Sequence, residues 1–305
     1  MLMGAGVLSA VGSSAWAAPR RLGRLVIIGG AEDRLHEKSV LRTFVDQCGG
    51  PDARIRLLSA ASAEPQGAWN TYVRAFGDLG VQDFAPIGIA TNDDANTPQA
   101  VEEILGADGI FISGGDQSRL MAALWETEAY RALHVAFHLR GCCIGGTSAG
   151  AAVMSRHMLA QGPAVRLPEK DVVDMDLGLG FVSSAIVDQH FSERGRLGRL
   201  LSALAQHSHL IGVGIDEDTA LVIERGVSIS VVGTGAVSVV DPRRAVTNAE
   251  WVESGARLEM QGLQLHLLPA GNTYSAVSGL GSGRRMSTGL REVVNLLVAP
   301  GPIRG

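Results

Sequence analysis

Basic runs are missing from this 305-residue chain. Its 26 lysines and arginines are outnumbered by 31 aspartates and glutamates, leaving a formal net charge of -5. A protein that grips a nucleic-acid backbone ordinarily displays a basic stripe, so a nucleic-acid partner is disfavoured. Cysteine is scarce too: only Cys48, Cys142 and Cys143 occur, and none stands in a Cys-x-x-Cys spacing. An odd count, with two adjacent thiols inside an apolar run, reads as buried packing residues rather than a disulfide framework or a metal site. There is no internal repeat, and proline and glycine are scattered over the loops without forming a linker. Beyond the N-terminal leader, no stretch approaches the ~20 consecutive apolar residues that cross a bilayer. Core material is plentiful: 46% hydrophobic against 19% charged residues argues for a folded chain.

The leader itself, "MLMGAGVLSAVGSSAWAAPRR", is small and apolar and presents Ala15-Trp16-Ala17 as a cleavage site before Ala18. A basic start is missing, because Arg20 and Arg21 follow the apolar stretch. The reading is a signal peptide or disordered leader over 1–18 and a periplasmic or secreted location, with a cytoplasmic one as the alternative.

From "GRLVIIGG" onward, short apolar runs alternate with segments of helical spacing. "HEKSVLRTFVDQCGG" carries Val40, Leu41, Phe44 and Val45 on one face, and "AWNTYVRAFGDLG", "TPQAVEEILGAD", "SRLMAALWET" and "RALHVAFHLR" follow suit. "ARIRLLSAAS", "VQDFAPIGI", "GIFISGGDQ" and "GCCIGGTSAG" read as the intervening strands. Such alternation predicts a mostly parallel sheet with helices on both faces. After about Asp171 the runs "GLGFVSSAIVDQHF", "HLIGVGIDEDTALVI" and "GVSISVVG" lack long intervening helices, which predicts antiparallel extensions of that sheet. One α/β domain over 22–305 is expected. Function in such folds gathers at the carboxyl ends of the strands.

Gly146-Thr147-Ser148-Ala149-Gly150 fits G-x-S-x-G between a strand and an Ala-rich run. Flanking glycines let backbone approach without a Cβ clash. The turn lifts a hydroxyl above the sheet edge, where N–H groups of the next helix favour developing negative charge. Close helix-on-sheet packing uses the same small residues, so this stretch alone leaves nucleophile and packing turn equally open. A serine nucleophile needs a base. His190 stands out among eight histidines because it ends an apolar strand beside Asp188 and Gln189. An orienting acid is offered by Asp216, Glu217 and Asp218 between two apolar runs, with Glu217 central, or by Asp188; a solvated acidic turn is the structural alternative. At "SGGDQ", backbone N–H groups near Gly115, together with that of Ala149, or the Gln117 amide suit an oxyanion, while Asp116 suits a helix N-cap. In "FSERGRLGRLLSALAQ", Leu197, Leu200, Leu201 and Leu204 form a core stripe. Arg194, Arg196 and Arg199 follow His190 closely, and their forks suit an acidic substrate or a solvated face. Nothing in this chemistry calls for a metal or an organic cofactor.

Taken in order from about Leu25 to Ile223, "GGAEDR", "IFISGGDQSRL", "IGGTSAGAAVMS", "GLGF", "DQHFSERGRLGRL" and "GIDEDTAL" resemble the cyanophycinase-type serine peptidases, a family that also contains α-aspartyl dipeptidase. "DQHF" followed by "RGRLGRL" is closer to the cyanophycinases. The resemblance implies a flavodoxin-like, class I glutamine amidotransferase-like three-layer sandwich. It also implies hydrolysis of cyanophycin, or of a related β-aspartyl peptide, to β-Asp-Arg dipeptides. By motif it makes Ser148 the nucleophile, His190 the base and Glu217 the acid. It places Gln117 beside the nucleophile and assigns Asp188, Gln189, Arg194, Arg196 and Arg199 to substrate binding. Asp188 would pair with a substrate cation and the arginines with its carboxylates. The alternatives are a dipeptidase for other aspartyl or isoaspartyl peptides and an inactive binding homologue. Whether the protein forms a homodimer is left open. The chain order serine, histidine, acid differs from the α/β-hydrolase order serine, acid, histidine, which disfavours an esterase of that fold.

Overall fold

A computed structural model describes residues 22–277 and 286–299; the leader at 1–18 lies outside them. The first half alternates as the sequence predicts: β1 (Arg24–Ile28), α1 (Ser39–Cys48), β2 (Arg54–Leu58), α2 (Pro65–Asp78), β3 (Asp83–Ile87), α3 (Pro98–Leu105), β4 (Gly109–Ile112), α4 (Gln117–Leu124), α5 (Glu128–Val135) and β5 (Cys143–Thr147). A single helical turn, α6 (Ala149–Ala152), follows. Then come β6 (His157–Gln161), β7 (Asp174–Leu177), β8 (Ala185–Gln189), α7 (Leu197–Gln206), β9 (Ile211–Ile215), β10 (Thr219–Glu224), β11 (Ser228–Gly233) and β12 (Ala236–Asp241). The chain closes with β13 (Val246–Thr247), β14 (Met260–Gln261), β15 (Gln264–Pro269), β16 (Asn272–Ser275) and α8 (Thr288–Val298).

The main sheet has eight strands in the order β16-β11-β10-β1-β5-β4-β2-β3. Its β1, β5, β4, β2 and β3 are parallel, while β10, β11 and β16 extend it antiparallel past β1. Both faces are covered, so the strands read as continuous apolar runs, yet period-two alternation still sorts them. Val26 and Ile28 of β1 face a core with Phe44, Tyr72 and Phe76 of α1 and α2. Leu25 and Ile27 face the opposite core, which holds α3 to α6 and α8. This is the expected three-layer α/β arrangement. The first core is knit by aromatics: Phe44 and Phe76 both meet Phe111 edge-on, with ring centroids 5.2 and 5.4 Å away. All three cysteines are free; Cys142 and Cys143 are buried, as expected of packing thiols, while Cys48 is half-buried, and burial pushes the Cys142 thiol up. No described helix is long and apolar enough to cross a membrane.

Two expectations need correction. Not all of the later strands extend the main sheet: β8, β9, β12 and β15 form a separate four-stranded sheet in the order β15-β12-β9-β8. Its β8 and β9 are parallel to each other, with α7 between them in the chain. The connection from β8 to β9 through the ten-residue α7 is long enough for a parallel crossover, so these two strands pair with each other and not with the main sheet. The leucine stripe of α7 is also one residue shorter than its spacing suggests. Leu200 and Leu204 are buried and Leu201 partly so, but Leu197, the first helical residue, is 43% exposed.

Candidate active site

Three loops meet at the carboxyl end of β1, and backbone hydrogen bonds lock them there. The N–H of Ser148 donates to the Ile28 carbonyl (3.1 Å), that of His190 to Gly29 (2.7 Å) and that of Asp218 to Gly30 (2.9 Å). These segments leave β5, β8 and β9, so β1 ties both sheets to one point. Each donor residue has a positive φ: +54° at Ser148, +48° at His190 and +44° at Asp218. Non-glycine residues adopt that region at a cost of order 1–3 kcal/mol each and keep it where surrounding structure insists on it.

The side chains converge accordingly. Ser148 Oγ lies 3.0 Å from His190 Nε2, and His190 Nδ1 lies 2.5 Å from Glu217 Oε1. His190 is buried, and the Glu217 carboxylate is one-third exposed. The neighbouring Asp216 and Asp218 are occupied otherwise. Asp216 accepts from the Ser192 hydroxyl and from Ala236 N–H, while Asp218 accepts from Asp33 N–H. Of the three candidate acids, Glu217 is therefore the one on the histidine.

Missing side chains make this convergence possible. A Cβ on Gly146 would fall 2.3 Å from the Gly150 carbonyl, so the strand-to-helix turn around Ser148 closes only on glycine. Gly30, at φ +104°, lies under the imidazole: a Cβ there would fall 2.3 Å from His190 Cε1 and 2.4 Å from Nε2. Gly30→Ala is expected to swing the ring off Ser148 and lower turnover by roughly 100-fold or more, since small misplacements of reacting groups have such effects. A kcat within threefold of wild type in that variant would show that the ring tolerates displacement.

Several predicted residues take other places. Gln117 does not reach the serine: its Nε2 donates to the Leu159 and Ala160 carbonyls (3.1 and 2.6 Å), tying α4 to β6. As predicted, Asp116 caps α4, accepting from Ser118 and Arg119 N–H. Gly115 packs on Ala61, and it is Gly114 whose α-carbon faces the nucleophile; a Cβ there would lie 3.3 Å from Ser148 Cβ. Ala149 follows Ser148 directly and is buried.

Asp188, Gln189, Arg196 and Arg199 do come together, but with each other. Asp188, whose side chain is fully buried, accepts a fork from Arg199, with Nε at 2.8 Å from Oδ2. It also pairs with Arg196, 3.4 Å away. Arg196 in addition donates to the Gln189 carbonyl (2.6 Å) and to Gln189 Oε1 (3.0 Å), and Arg199 donates to the Gly162 carbonyl (2.9 Å). Burial pulls Arg196 down to about 10, against the opposing pull of Asp188, so it stays a cation at neutral pH. This corrects the expectation that Asp188 meets a substrate cation: its oxygens are spent on two guanidinium groups. Arg194 is exposed.

The open space beside Ser148 and His190 lies on the other side. A cavity of about 450 Å³ is bounded by Glu32, Arg34, Glu64, Tyr72, Ser113 and Thr147, among others. Glu32 is 2% exposed at its side chain and accepts from the Tyr72 hydroxyl (2.6 Å) and from the Thr147 hydroxyl, one residue before the serine. Burial and the adjacent carboxylate push the Tyr72 phenol up, so it remains a donor at neutral pH. No role was foreseen for these residues. The available signal was the polar "AEDR" directly behind the apolar strand β1.

The family model described as peptidase family S51 matches residues 25–231. A cyanophycinase of Nostoc sp. is 38% identical over 251 residues, covering 82% of this chain and 84% of the relative. One of Synechococcus elongatus is 39% identical over 255 residues, covering 83% and 79%. In fold, the chain is similar to the crystal structure of a peptidase from an acI-B1 Actinobacterium, with a TM-score of 0.62 at 24% identity over 84% of this chain and 98% of that one. With the family model spanning two-thirds of its length and relatives at this identity over most of it, the chain belongs to peptidase family S51.

Proposed function

We propose that this peptidase hydrolyses cyanophycin, multi-L-arginyl-poly-L-aspartate, to β-Asp-Arg dipeptides through a Ser148-His190-Glu217 triad. The observation that carries the reading is the 3.0 Å and 2.5 Å pair of contacts joining those three side chains beside an open cavity. Cyanophycinase relatives at 38–39% identity support the substrate.

In this mechanism His190 Nε2 takes the Ser148 proton as Oγ attacks the backbone carbonyl of an aspartyl residue. Glu217 holds Nδ1–H and stabilises the imidazolium that forms. Backbone N–H groups at Ala149 and along Gly114–Gly115 stabilise the oxyanion. His190 then returns its proton to the leaving amine as the C–N bond breaks. A water, deprotonated by the same imidazole, attacks the serine ester, and the acid is released with Ser148 reprotonated. The single-turn α6 adds little dipole of its own, so the donors act individually. Export under the leader at 1–18, toward polymer outside the cell, is part of the same proposal.

The test is a substrate panel: purified cyanophycin, β-Asp-Arg oligomers, and α- and β-aspartyl dipeptides, with products identified by mass spectrometry. Release of β-Asp-Arg from the polymer is expected. Cleavage of short dipeptides alone would make the enzyme a dipeptidase, and binding without cleavage would make it an inactive homologue.

A further inference from the structure

The cavity wall opposite the triad carries charge that the mechanism above does not use. One side of α2 forms it: Glu64, at the helix N-cap, is followed by Gly67, Ala68 and Thr71, all lining the cavity and spaced as one helix face. The small residues in the middle leave space, and the charge sits at the end. Glu64 is exposed, and its carboxylate has no ion pair among the described residues. From the β1–α1 loop, Arg34 reaches the same space with 39% of its side chain exposed.

Arg34 is braced for this position. Its Nε lies 3.8 Å from Glu32 Oε1, and its guanidinium carbon is 5.8 Å from the Tyr72 ring centroid. Glu32 is itself fixed by the Tyr72 and Thr147 hydroxyls. A buried carboxylate demands a cation; Arg34 answers that demand with Nε, while its side chain, still partly exposed, lines the cavity. The wall thus offers a fixed cationic fork and an unpaired carboxylate, in one space with the nucleophile. A ligand that matches both carries a carboxylate and a cationic head on one flexible branch.

We propose that Arg34 and Glu64 form the subsite for the arginine branch of the aspartyl residue whose carbonyl Ser148 attacks, with Arg34 taking the α-carboxylate of the branch and Glu64 its guanidinium. This rests on the cyanophycin reading and adds which residues of this chain select the branch. Arg34 is a specificity residue here, with Glu32, Tyr72 and Thr147 positioning it.

The experiment compares Arg34→Gln and Glu64→Gln with wild type on three defined oligomers: (β-Asp-Arg)3, its branch carboxamide, and its citrulline analogue. Charge-assisted pairs of this kind correspond to roughly 10- to 100-fold in kcat/KM. Arg34→Gln is expected to lose that factor on the parent, chiefly in KM, and to lose less than threefold on the carboxamide. Glu64→Gln should behave likewise with the citrulline analogue as its insensitive substrate. Both side chains are solvent-accessible, and unchanged thermal melts would separate binding from folding. Equal losses on parent and analogue, or no loss on the parent, would overturn the subsite while leaving the triad and the polymer substrate standing. If wild type leaves the parent oligomer and cyanophycin uncut, the cyanophycin reading itself fails and the subsite with it.

Discussion

Ser148→Ala is expected to lower kcat/KM on cyanophycin by roughly 10⁴-fold or more, the scale on which a serine peptidase loses activity with its nucleophile. Its melting temperature should move by no more than about 2 °C. Among the described residues the hydroxyl's side-chain hydrogen bond is to His190, and the φ of +54° at this position strains alanine as it does serine. The residue thus adds chemistry and little stability. Progress curves at high enzyme concentration, with β-Asp-Arg quantified against time, would read the residual rate. A variant within tenfold of wild type would rule out attack by Ser148. Loss of activity together with a collapsed melt would mean that the protein, rather than the chemistry, had been lost.

The second large effect is on stability. Asp188→Ala is expected to destabilise the fold by about 3–5 kcal/mol, the range for breaking a buried ion pair from one side. Asp188 is fully buried at its side chain, and Arg196 and Arg199 are 10% and 7% exposed. Without the carboxylate, two guanidinium groups stay inside with carbonyls and an amide as their remaining acceptors. Urea denaturation followed by intrinsic fluorescence should show a lower midpoint at unchanged slope. Activity should fall as well, because Asp188 precedes His190 by two residues on the same strand end, and should recover partly at low temperature where the variant is folded. If Asp188 instead bound substrate directly, the variant would keep its urea midpoint and show a raised KM alone; a destabilisation below 1 kcal/mol would count against the internal role.

These outcomes separate what local sequence conveys from what it does not. Alternation of apolar runs with helical spacing was enough for the parallel half of the sheet, since burial on both faces forces such runs. His190 was legible because a polar triplet, Asp188-Gln189-His190, ends an apolar strand, whereas the small-residue turn at Ser148 fitted a nucleophile and a packing turn equally until "DQHF" and "GIDED" were set beside it. The split between two sheets was not legible. Strand partners are chosen by long-range pairing, and a run such as "AIVDQ" carries no mark of which sheet it joins. Gln117 and Asp188 misled for a related reason. Asp188 lies at the end of β8 and Gln117 opens the helix that follows β4, both near the rim where function gathers, but whether a polar group faces a cleft or a buried partner depends on what the rest of the chain brings up against it.

By itself, then, the sequence determined the α/β class, the elements around the site and the three residue types that meet there. The tertiary structure alone decided which of three adjacent acids reaches His190, that the Asp188 arginine cluster is internal support, and that the open cavity lies toward Glu32, Arg34 and Glu64. The physical reason is the end of β1. Its consecutive carbonyls at Ile28, Gly29 and Gly30 take the N–H groups of residues 148, 190 and 218, and those hydrogen bonds between distant segments bring the loops that carry Ser148, His190 and Glu217 to one point.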